Sequence, residues 1–144
     1  MNLKRVFTSI LALTMILTLS CGNSAAFGDL APMSSFTLSD YNVGLKVGVN
    51  QGEIRISYDV AASKRADSLG VSSIAIYRAN GSHVATITGT TANKLVRNST
   101  SGNTGTYSYI ATSGTSYYAE VTVFATVGST TDSRMVTTTT VKAS

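Results

Sequence analysis

The sequence predicts an all-β sandwich, and three observations carry that prediction. Apolar residues recur at every second position in several short runs, as in Val43, Leu45, Val47 and Val49. Turn-forming residues separate these runs at short intervals. No segment longer than ten residues carries a helical stripe. Short alternating runs punctuated by turns are the pattern of strands half-buried on one face, and seven of them fit a sandwich.

The first strand follows from the alternation over residues 43–49, and the turn Asn50-Gln51-Gly52 leads to a second run with Ile54, Ile56, Tyr58 and Val60. Two such runs around a glycine-containing connection predict a hairpin. The polar stretch from Ala61 to Gly70 reads as a loop or a helical turn. Beyond it, Ile74 and Ile76 share one face of a strand and Tyr77 takes the other. Asn80-Gly81 predicts a type I′ turn into a partner strand from His83 to Thr88. Leu95-Val96 is a candidate short strand, beyond the seven, within a stretch rich in Asn, Ser, Thr and Gly. Alternation resumes from Thr106 to Ala111, then over the longest strand, Tyr117 to Thr126, where Tyr117, Ala119, Val121, Val123 and Ala125 share a face. A last strand is expected from Arg134 to Val141. The Thr137 to Thr140 run inside it alternates between faces, so it reads as β propensity rather than as an ordered threonine array.

The N-terminus carries a different message. Lys4 and Arg5 precede an uncharged run from Val6 to Leu19, and small residues follow at Ser24, Ala25 and Ala26. That order predicts a cleavable signal peptide over residues 1–26, a flexible leader over 27–42 and one domain over 43–144. Cleavage after Ala26 is preferred to cleavage after Gly28 because it lies closer to the apolar run. The uncharged run is shorter than the roughly 20 residues of a membrane-spanning helix. Cys21, the one cysteine in the chain, stands where a lipidated cysteine would follow such a run, but Thr18 and Leu19 make a poor lipobox. The expected destination is therefore the extracellular medium. The alternative is a lipid anchor on Cys21, or a retained signal, at the outer face of the membrane.

Removal of Lys4 and Arg5 leaves nine basic residues against seven acidic ones, a balance of +2. The basic residues are scattered, with Lys64-Arg65 the one mature pair, and this argues against nucleic acid as a partner. The mature chain has no cysteine, so its stability rests on packing.

Gly114-Thr115-Ser116-Tyr117, with apolar residues alternating on to Ala125, resembles the penultimate strand of fibronectin type III domains. The resemblance covers most of Val43 to Val141. It implies a seven-stranded immunoglobulin/fibronectin type III-like sandwich in which Tyr117 makes a tyrosine corner, its hydroxyl bonding back to the chain upstream. The chain has no tryptophan, so the early-strand tryptophan of that family has no counterpart. The whole chain is also similar to small single-domain secreted proteins of Gram-positive bacteria. Neither resemblance supplies a catalytic residue.

Catalytic equipment is sparse. One histidine, His83, sits just after the Asn80-Gly81 turn, where an exposed loop residue is expected. No Gly-x-Ser-x-Gly elbow, metal-ligand spacing or phosphate loop is present, so neither cofactor nor metal is expected. The positive clue is aromatic. Alternation sends Tyr118, Glu120, Thr122 and Phe124 away from the core, and Tyr77 points the same way. In a fibronectin-type sandwich these two strands are neighbours, which would gather Tyr77, Tyr118 and Phe124 on one outer face. Such rings either brace one another, at about 0.2–1 kcal/mol per pair, or form a docking patch. Tyr107 and Tyr109 form a second same-face pair, equally suited to core packing.

The expectation is a noncatalytic secreted or cell-envelope interaction domain with an extracellular protein or glycan as partner. A carbohydrate-binding module is the first alternative and a small extracellular hydrolase using His83 the second.

Overall fold

The computed structural model describes residues 37–144, which lie within one compact unit, Phe36–Ser144. The expected signal peptide, its cleavage points, Cys21 and the leader as far as residue 36 lie outside the described residues. Seven strands follow in order: β1 (Leu38–Val47), β2 (Glu53–Arg78), β3 (His83–Thr88), β4 (Val96–Ile110), β5 (Ser116–Val127), β6 (Thr130–Thr137) and β7 (Val141–Lys142). All described pairings are antiparallel, and no described residue is helical.

The strand count matches the expectation, but the segmentation does not. β2 runs unbroken for 26 residues through the stretch expected to be a loop or helical turn. Its first part, Glu53 to Ala61, is flanked by β1 and by the later part of β4. Its second part, from Ala66 onward, pairs with the start of β4, with β3 and with β5. Between these parts the register against β4 shifts, and Ser63, Lys64 and Arg65 face solvent. The polar residues that suggested a loop therefore mark an irregularity in a continuous strand. β1 and β5 share no backbone pairing yet pack against each other, with Leu38 and Leu45 in the same core as β5.

Two further boundaries move. β1 begins at Leu38, inside the expected leader, because the chain pairs with β2 from Leu38 opposite Ala62 and Leu38 is buried there. At the other end, pairing of β6 stops at Thr137. There the Thr138 hydroxyl accepts from the Ala119 N–H at 3.0 Å and donates to the Thr139 carbonyl at 3.1 Å. The Thr138 N–H still donates to the Ala119 carbonyl at 2.9 Å, but a side-chain oxygen takes the other half of that pair, and the expected last strand divides into β6 and β7.

The core follows the period-two pattern. Ile54, Ile56 and Val60 of β2 are fully buried, as are Leu69, Val71, Ile74 and Ile76 further along it. The alternate residues Ala119, Val121, Val123 and Ala125 of β5 are fully buried too, and Tyr117 is 1% exposed. Each large aliphatic side chain of this kind contributes about 1.5–3 kcal/mol on burial. Gly105 serves the same core, because a Cβ there would run into the Tyr58 ring, with Cζ at 2.8 Å.

Candidate functional site

The outer face lies on the opposite side of β5 and of the second part of β2. Register places Tyr77 directly opposite Tyr118, Ala75 opposite Glu120, and Ser73 opposite Thr122. The Tyr77 and Tyr118 rings stack with centroids 5.2 Å apart and planes 12° from parallel. The His83 ring meets Tyr77 edge-on at 5.3 Å and 72°. Its Nε2 lies 2.8 Å from the Thr86 hydroxyl, which holds the imidazole against the sheet. Burial pushes the Tyr77 phenol above its ordinary pKa, and the neighbouring Glu120 carboxylate adds to the rise, as does Tyr118.

The turn before His83 makes this contact geometrically accessible. Gly81 has φ of 86°, and Asn80 does not share a positive φ. The expected type I′ turn is therefore absent. The Gly81 N–H donates to the Arg78 carbonyl at 2.9 Å, and the Arg78 N–H to the Ser82 carbonyl at 2.9 Å. A glycine with positive φ closing such a turn produces a bulge, and the register shifts between Ile76 and Tyr77 accordingly. That shift sets His83 opposite Tyr77 as the first residue of β3, rather than in a loop.

Phe124 does not join this cluster. It is half-buried, opposite Gly70 on β2 and Ser133 on β6. Six residues along a strand separate it from Tyr118, about 20 Å at the usual rise. Between the two aromatic stations lie Glu120 and Thr122, flanked by Ser73 and Ala75 on β2 and by Met135 and Thr137 on β6. Met135 is 65% exposed. The face is thus a track with an aromatic group at each end and, between them, Glu120, the exposed Met135 and small or hydroxylated side chains.

On the inner side, the Tyr117 hydroxyl accepts a hydrogen bond from the Thr112 N–H at 3.1 Å, five residues upstream. Burial would raise its pKa, but bonds with Thr112, Thr115 and Arg78 outweigh it and hold the phenol below its ordinary value. Tyr107 and Tyr109 lie opposite Ile56 and Ile54 and pack on the core, away from the outer-face cluster.

Sequence reasoning placed Glu120 on the right face but missed His83 as a member of the cluster. The Asn-Gly turn alone was no signal for it: a two-residue turn would set His83 opposite Arg78, and only the bulge sets it opposite Tyr77. Comparison with protein-family models, with characterised proteins and with solved structures finds no match to this chain.

Proposed function

We propose that this chain is a noncatalytic secreted or cell-envelope interaction domain that docks an extracellular protein or glycan on its outer sheet face. The observation that carries the reading is the Tyr77–Tyr118 stack, braced edge-on by His83. Aromatic rings fixed by neighbours lose little conformational freedom on binding and supply large contact area. The fold beneath is read as a fibronectin type III-like sandwich closed by β2. The packing of β1 on β5 and the Tyr117–Thr112 bond support that assignment.

The track between Tyr118 and Phe124 favours a second reading, a carbohydrate-binding module. The Glu120 carboxylate and the Ser73, Thr122 and Thr137 hydroxyls between two aromatic stations suit an extended polyhydroxylated chain, with Met135 the one large apolar group among them. A small hydrolase has less support. The His83 ring contacts Tyr77 and Thr86, and no carboxylate among the described residues hydrogen-bonds it.

Export is tested by the intact mass and N-terminal sequence of protein recovered from medium and membrane fractions, with a soluble product starting at Phe27 expected. The docking reading is tested by sedimentation with insoluble polysaccharides and by capture of extracellular proteins from the producing organism. Tyr77→Ser is expected to weaken whatever is retained by about tenfold or more, the scale of an aromatic hot spot. Phe124→Ser should have a comparable effect only for an extended glycan. Retention unaffected by Tyr77→Ser and Tyr118→Ser, in folded variants, would discard the outer face as the docking surface.

A further inference from the structure

A second concavity lies where β4 passes from one partner segment of β2 to the other. Residues from both parts of β4 and from the preceding 90–95 loop enclose about 440 Å³. That is room for roughly a dozen or more waters at about 30 Å³ each, far beyond one bound oxyanion, and within the range of small-ligand sites.

The loop is fixed from beneath. Asn103, 2% exposed, donates from Nδ2 to the Leu95 carbonyl at 2.9 Å and to the Lys94 carbonyl at 3.4 Å. The Tyr58 hydroxyl donates to the same Lys94 carbonyl at 2.9 Å. Lys94 itself has φ of 64°, a left-handed conformation that a residue with a Cβ adopts at a cost of about 1 kcal/mol or more. Backbone held in such a region by buried donors is rigid, and strain of this kind concentrates at ligand sites.

The charge on the walls has one sign. Lys94 and Arg97 both line the cleft, and the lining contains no carboxylate. Neither cation forms a salt bridge with a described residue. The Arg97 charge acts on the Tyr58 phenol, offsetting part of the rise that burial imposes there. Asp59, next to Tyr58 in sequence, accepts from the Thr104 hydroxyl at 2.7 Å and does not line the cleft. The rest of the wall is largely hydroxyl and amide, from Thr91, Asn93, Asn103, Thr104 and Thr106.

We propose that this cleft binds an acidic saccharide, with Arg97 and Lys94 holding its carboxylate and the threonine hydroxyls of the wall meeting its hydroxyls, while Asn93 and Asn103 hold the loop. A guanidinium matches a carboxylate through paired N–H donors, and the Lys94 ammonium on the same wall adds positive charge. The volume accommodates more than the anionic group alone, and the neutral polar lining suits a polyhydroxylated body. This site is separate from the Tyr77–Tyr118 face and stands or falls independently of it.

The test is a titration of isotopically labelled protein, recovered from its producing cells, followed by amide chemical shifts. The probes are trigalacturonate, neutral trigalactose and inorganic phosphate. Saturable shifts confined to the 93–97 and 103–106 segments are expected with trigalacturonate, and affinity for the neutral trimer should be about tenfold weaker or less. Arg97→Gln and Lys94→Gln should each weaken trigalacturonate by a similar factor while leaving the thermal midpoint in place. If one variant fails to fold, the other carries the comparison. Four results would overturn the proposal: no saturation with trigalacturonate by about 10 mM, equal binding of the neutral trimer, the same shifts from phosphate alone, or shifts centred on Tyr77 and Tyr118.

Discussion

At the β1–β2 turn the Glu53 side chain is 6% exposed yet carries a charge. Its Oε2 accepts from the Val49 N–H and the Asn50 N–H at 3.1 Å, and from Asn50 Nδ2 at 2.8 Å. A bond from Ser108 and those from Asn50 lower its pKa below the ordinary 4.5, against the opposing effect of burial. A carboxylate depressed by folding contributes stability that is present above its unfolded pKa and is lost as pH falls through the lower folded value. Urea unfolding midpoints should therefore decline on acidification below about pH 4.5, and Glu53→Gln should flatten that decline while lowering the midpoint at neutral pH. A parallel decline in both proteins would show that Glu53 is not its source. Single residues on the outer face were legible in a different way. Period-two alternation gave the side that Tyr77, Tyr118 and Phe124 occupy, but side is not proximity. Strand rise separates Phe124 from the tyrosines, and register, which alternation does not encode, supplied His83 instead.

Elements were legible where one face is buried along the whole strand, as in β5, whose alternation is complete from Tyr117 to Ala125. They were obscured where burial is sparse. β1 opens with one buried residue followed by four exposed ones, and that pattern reads as leader. Leu38 nevertheless belongs to the core, and its N–H donates to the Asp132 carboxylate at 3.3 Å. Leu38→Ala should cost about 2–4 kcal/mol in chemical denaturation, the range for removing a buried leucine side chain. A loss under about 0.5 kcal/mol, ordinary for surface positions, would return Leu38 to a solvated leader. The Ala61 to Gly70 stretch misled for a related reason. Three consecutive exposed polar residues in a strand look like a loop when the register shift that exposes them is invisible.

For the whole molecule, the all-β class and much of the core were readable from alternation and turn residues. The course of β2 was not, because a strand serving two sets of neighbours has no local signature. That course governs how the molecule comes apart. Ile54 and Ile56 at one end and Ile74 and Ile76 at the other share a single core on a single length of backbone. Melting either end strips the pairing partners from β4, which is zipped to both. No portion of residues 37–144 can then act as a separate cooperative unit, so calorimetric and van't Hoff enthalpies of unfolding should coincide. Two resolved transitions would show that the register shift at Ser63 to Arg65 is a weak joint. One transition would make β2 a common spine, through which a disturbance at the Tyr58 end is felt as lost protection of the amides around Tyr77.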